Sequence, residues 1–100
     1  MNLHTINVTP TIINSYQRMS ELVSDNDSIV LIENAVLAGC KSSAVEDMLL
    51  FLSGSCRIFA LETDVRQRGV DEKMLPFITL ISVEKFVELS VEHAKVISWD

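Results

Sequence analysis

Between Ile81 and Trp99 the hydrophobic period of the chain passes from about 2 to about 3.6 and back. The segment is Ile81-Ser-Val-Glu-Lys-Phe-Val-Glu-Leu-Ser-Val-Glu-His-Ala-Lys-Val-Ile-Ser-Trp99. It reads as the end of one strand, a short amphipathic helix and a final strand, which together make a β-α-β unit. Two strands joined by a crossover helix must lie parallel in one sheet. The unit runs to the penultimate residue, so the last strand is expected to be part of the sheet and not a tail.

The rest of the chain repeats the alternation. Leu3–Val8 alternates and stops at Thr9-Pro10, which marks a first strand. A helix is expected from about Thr11 to Val23, with Ile12, Ile13, Tyr16, Met19 and Val23 on one face. Ser24-Asp-Asn-Asp27 is a polar turn. Ser28–Ile32 carries a continuous apolar run, as a strand covered on both faces requires. Glu33–Leu37 follows, and Ala38-Gly39-Cys40 reads as a break. Ser42 or Ser43 can cap a helix over Ala44–Leu52, with Glu46 completing a capping box and Gly54 at its C-terminal end. Arg57–Leu61 is a third strand and Glu62–Gln67 a helical turn closed by Gly69. A loop over Val70–Leu75 leads past Pro76 to a fourth strand, Phe77–Ile81. Ser82 caps the last helix, whose Val83, Phe86, Val87 and Ser90 are predicted to face the sheet. Ala94–Trp99 is the fifth strand. Five strands alternating with helices predict one domain over residues 1–100, an α/β fold with a parallel sheet.

Composition bears on partners. Apolar residues make up 48% of the 100, and mean hydropathy is +0.29. A globule this small has little interior. The surplus is expected on the surface as a patch for an obligate partner. Net charge is −6, and the eight Lys and Arg residues are scattered. Phosphate neutralisation needs a basic stripe, so direct nucleic-acid binding by this chain alone is not expected. Two cysteines, Cys40 and Cys56, make no disulfide scaffold and suggest a reducing cytosol. The start, Met-Asn-Leu-His-Thr, lacks the features of a signal peptide. The longest apolar runs are too short to cross a bilayer.

No constellation for catalysis stands out. The three glycines, Gly39, Gly54 and Gly69, form no phosphate-binding loop. Cys40, Cys56, His4 and His93 lack the close spacing of a zinc site. Neither a metal nor a cofactor is expected. Cys40 follows a strand near a helix start, where a thiol pKa is lowered. It is the better candidate for persulfide chemistry, against a plain packing role. Cys56 opens a core strand and reads as packing. His4 in the first strand is a candidate interface or sheet-end residue, since a base needs a nucleophile beside it. His93 beside Glu92 reads as a solvated pair. Glu33 lies where ligand crevices open in parallel sheets, yet no second acid accompanies it. Asp25/Asp27 and Asp71/Glu72 read as solvated loops. Trp99 either closes the core or anchors an interface.

Four segments in order resemble the DsrH/TusB family of sulfur-relay subunits. They are Leu3-His-Thr-Ile-Asn7, Ile29-Val-Leu-Ile-Glu-Asn-Ala-Val36, Ile58-Phe-Ala-Leu-Glu-Thr-Asp-Val-Arg-Gln-Arg-Gly69, and Phe86-Val-Glu-Leu-Ser-Val-Glu-His93 with the terminal Trp99. The resemblance implies a three-layer α/β/α fold (DsrEFH-like) with a five-stranded parallel sheet. It implies a small cytoplasmic bacterial protein that assembles with TusC/DsrF-like and TusD/DsrE-like subunits into a heterohexamer. That assembly would pass persulfide sulfur toward 2-thiolation of the tRNA wobble uridine, or serve sulfur oxidation in the DsrH branch. The sulfur-accepting cysteine would belong to the TusD/DsrE-like subunit. Some DsrH members have a cysteine in the first helix; the matching position here is Met19, which favours the TusB-like branch. The expectation is a non-catalytic structural subunit and no enzyme. The alternatives are a thiol carrier using Cys40, and an unrelated interaction module that self-associates.

Overall fold

The computed structural model describes all residues, 1–100. The strands are β1 (Asn2–Ile6), β2 (Ser28–Leu31), β3 (Arg57–Leu61), β4 (Ile78–Ile81) and β5 (Lys95–Trp99). The helices are α1 (Ile13–Leu22), α2 (Glu46–Leu52), α3 (Glu62–Gln67) and α4 (Val83–Glu92). One sheet holds all five strands in the order β4-β3-β2-β1-β5, and every pairing is parallel.

This order explains the layers. From β1 to β4 the chain steps across the sheet in one direction. Right-handed crossovers then place every intervening helix on the same face. From β4 it returns across the whole sheet to β5, so α4 must lie on the opposite face. The packing agrees. Tyr16 and Met19 of α1, Leu49 and Leu52 of α2 and Val65 of α3 share a core with Ile6, Ile29, Leu31, Ile58 and Ala60. Leu89 of α4 packs instead with Leu3, Val30, Phe59 and Ile81. Alternate residues of each strand therefore serve opposite faces, giving the three-layer α/β/α arrangement.

Several sequence expectations change in detail. Glu33–Gly39 is a 3-10 helix running through the expected break at Ala38-Gly39. It lies so close to the sheet that a Cβ on Gly39 would sit 3.2 Å from Leu31 Cδ1 of β2, and 2.9 Å from Met74 Cε in the segment before β4. Neither Ser42 nor Ser43 caps α2, which starts at Glu46. Ser43 Oγ donates instead to Ala38 O, holding the preceding turn, while the Glu46 carboxylate accepts from the Ser42 backbone N–H. Gly69 does close α3, at φ +64°, where a side chain would be strained. Ser82 does cap α4, accepting from Lys85 N–H at 3.1 Å.

The face of α4 needs the largest correction. Leu89 is fully buried and Phe86 half-buried against the sheet, but Val83 and Val87 point to solvent. On α1, Ile12 and Ile13 are likewise exposed, and the buried face is carried by Ser15, Tyr16 and Met19.

Candidate functional site

The amino-terminal edge of the sheet holds a buried polar cluster built around β2. Asp27, expected in a solvated loop, is 2% exposed. Its Oδ1 accepts the backbone N–H of Asn2 at 2.9 Å. Its Oδ2 accepts the Ser24 N–H at 3.0 Å and meets His4 Nε2 at 3.0 Å. Burial alone would raise this carboxyl, but the two backbone donors and His4 outweigh it and hold it below its ordinary 3.8. His4, on β1, is fully buried. Its Nδ1 receives the indole N–H of Trp99 at 3.1 Å, and the two rings stack with centroids 6.3 Å apart. An indole nitrogen only donates, so Nδ1 must be the bare nitrogen. Nε2 therefore carries the proton and donates it to Asp27. The unit is a neutral imidazole bridging a carboxylate and an indole, and it ties the turn before β2 to the last strand.

A second histidine lies on the other face of the sheet. His93 is buried at the end of α4 and not in a solvated pair with Glu92. Its Nδ1 lies 2.6 Å from Leu89 O and its Nε2 3.0 Å from Ser28 Oγ. A carbonyl only accepts, so Nδ1 donates to it, while the Ser28 hydroxyl meets Nε2. The adjacent residues Asp27 and Ser28 thus each meet one histidine at its Nε2, His4 on one face and His93 on the other. The pattern Asp-Ser opening an apolar strand, with one histidine in the first strand and one just before the last, was visible in the sequence. Nothing in it said that these residues would meet.

Cys40 does not sit at a helix start. It bridges antiparallel to Met74, flanked by hydrogen bonds from Lys41 N–H to Lys73 O and from Leu75 N–H to Gly39 O. Its thiol donates toward Val36 O at 3.8 Å. Burial pushes the thiol up, against a smaller downward pull from Lys73. Burial also raises Cys56. The Ser55 hydroxyl opposes that rise, and the Asp27 and Asp25 carboxylates add to it. Cys56 Sγ lies 3.4 Å from Ser24 O. Both thiols are thus held in their protonated, less nucleophilic form. Met19 is fully buried in the main core.

At the carboxyl edge, where parallel sheets take ligands, Glu33 is exposed with φ +52°. Its backbone N–H is held by Asp64 Oδ2 at 2.7 Å. Arg68 binds Asn34 Oδ1 through Nε and Nη2 at 3.1 and 3.0 Å and lies 3.8 Å from Asp64. The cluster satisfies itself and fixes the start of the 3-10 helix. An open depression of about 590 Å³ lies at the opposite edge, bounded by Met1, Asn26, Gly54 and Arg57 among others. No group of three or more His, Cys, Asp or Glu residues could hold a metal ion, and no helix is long and apolar enough to cross a membrane.

A parallel sheet in the order 4-3-2-1-5 with helices packed on both faces defines a small three-layer α/β/α domain. The DsrH-like protein family matches residues 9–96, and the chain belongs to this DsrH/TusB family. The TusB protein of Cronobacter sakazakii is 33% identical over 97 residues, covering 97% of this chain and 99% of the relative. The TusB protein of Yersinia pestis is 35% identical over 78 residues, covering 78% and 80%. Among solved structures, the ychN protein of E. coli superposes with a TM-score of 0.76 at 16% identity, over 97% of both chains. A protein of unknown function from Methanobacterium thermoautotrophicum gives 0.72 at 21% identity, over 97% and 96%. These two likenesses concern the fold.

Proposed function

We propose that this chain is a non-catalytic subunit of a cytoplasmic sulfur-relay assembly, working with TusC-like and TusD-like subunits in tRNA wobble-uridine 2-thiolation. Near full-length similarity to TusB proteins supports the pathway. The observation that carries the non-catalytic role is the state of the two thiols. A sulfur acceptor must present a thiolate to its donor, yet Cys40 and Cys56 are buried with raised pKa values. The sulfur then travels on a partner's cysteine, and this chain supplies a surface that holds that partner. A heterohexamer is the assembly proposed.

The test is reconstitution with TusC-like and TusD-like subunits and a persulfide donor. The double variant Cys40→Ser/Cys56→Ser should support sulfur transfer as well as the wild type does. Mass spectrometry should find the added sulfur on the TusD-like subunit. Sulfur accumulating on Cys40, with transfer lost in the double variant, would replace this reading with that of a thiol carrier.

A further inference from the structure

Helix α4 has a second apolar face. Its sequence repeats Val-Glu every fourth residue, at Val83-Glu84, Val87-Glu88 and Val91-Glu92. Residues four apart line up along a helix as a ridge. The repeat therefore makes a valine ridge beside a glutamate ridge. Leu89 and Phe86 take the sheet-facing side, so both ridges are turned outward. Val83, Val87 and Val91 are 48%, 55% and 80% exposed, and Val96 of β5 adds to the exposed apolar surface on the same side of the sheet. Glu84, Glu88 and Glu92 are exposed as well, and none pairs with a cation of this chain.

We infer that this flank of α4 docks a different protein chain, one whose apolar helix ridge is edged by lysine or arginine. Ridges of i±4 spacing interlock with the same ridges on a facing helix, so the valine row suits a helical partner. The glutamate row sets the sign of its rim. A second copy of this chain fits poorly. It brings three more carboxylates, only Lys85 on the helix to meet them, and a further net charge of −6. Like charges brought together at an interface repel and disfavour that pairing. The inference rests on the proposed role as a hetero-oligomeric subunit and names the surface that role uses.

The experiment co-expresses the full chain with TusC-like and TusD-like subunits and measures affinity for the purified partners. Two variants are compared with wild type: Val87→Asp, and the triple charge reversal Glu84→Lys/Glu88→Lys/Glu92→Lys. All substituted positions are exposed, and thermal melts of the isolated variants check that they fold. Each variant should weaken binding by at least about tenfold, and wild-type binding should weaken as salt is raised. Hydrogen exchange across α4 should slow in the complex. A wild-type complex that forms but ignores both variants overturns the α4 inference and leaves the proposed function standing. Self-association of the isolated chain that Val87→Asp abolishes assigns the surface to a second copy, and also overturns it. Absence of any wild-type complex overturns both.

Discussion

The two faces of the sheet are built on unequal terms. One face, under α1, α2 and α3, carries a core of 18 buried residues. The other, under α4 alone, carries a core of five. Helices α1 and α4 are each ten residues long, yet α1 is tied down by more than packing. Tyr16 Oη donates to Val8 O at 2.6 Å, and Ser15 Oγ donates to Asp100 O at 2.8 Å. Helix α4 is held by Leu89 and Phe86, its serine cap and the His93–Ser28 contact. The deep face gives the fold its stability. The thin face is covered by one helix, whose outer side stays exposed at Val83, Val87 and Val91.

Truncation should expose that inequality most strongly. Leu49 on the deep face and Leu89 on the thin one are both fully buried. Leu49→Ala leaves a cavity walled by many fixed neighbours and should fall toward the upper end of the roughly 2–5 kcal/mol that such truncations cost. Leu89→Ala should fall at the low end, because a helix held by few contacts can settle into the gap. Urea denaturation of the two variants measures the difference. Equal losses would mean that α4 is as firmly seated as the opposite layer.

Asp27 holds the turn before β2 to the start of β1 and to His4, and its charge can be titrated. Its native pKa is lowered, so its stabilising contribution is fully present above the ordinary aspartate value of 3.8. It is lost as the pH falls through the lowered native value. Asp27→Asn should cost about 1–3 kcal/mol at neutral pH, because the amide can accept on one side only and leaves a buried donor without a partner. The variant should also flatten the acid limb of the stability curve. An unchanged acid limb would remove Asp27 from the account.

Trp99→Phe removes one donor and keeps most of the ring. The cost should be about 0.5–1.5 kcal/mol, as for one hydrogen bond. Nitrogen-15 chemical shifts should report His4 as the Nε2–H tautomer in the wild type and a mixture in the variant. A wild-type Nδ1–H form would contradict the bridge between Asp27 and Trp99.

The parallel sheet was legible because hydrophobic period marks elements wherever they are regular: α3 lies where the sequence put it, and strand limits moved by at most two residues. The site was less legible. Asp27 reads as a turn acid because turns favour aspartate, and only folding shows three donors converging on it. His93 reads as a partner for Glu92 because they are neighbours in sequence, but its side chain turns toward a serine 65 positions away. On α4 the period correctly located a helix and turned Phe86 to the sheet, but it also put Val83 and Val87 there and missed Leu89. With Val83, Phe86, Val87, Leu89 and Val91 all apolar, two overlapping stripes fit a 3.6-residue period. A sequence with two apolar faces does not say which one meets its own sheet.

That ambiguity leads to the smallest expected effect. If the valine ridge serves a partner and not the fold, changing it should leave the isolated chain almost untouched. Val91 is 80% exposed, and a substitution at such a position usually changes stability by no more than about 0.5 kcal/mol. Val91→Thr keeps the branched shape and removes apolar surface, so it should melt with the wild type when alone. In a complex with TusC-like and TusD-like subunits it should lower the midpoint, because the same atoms are then buried against the partner. A melt that drops in the isolated chain but not in the complex would show the valine row to be part of this protein's own core, reversing the division of labour between the two sides of α4.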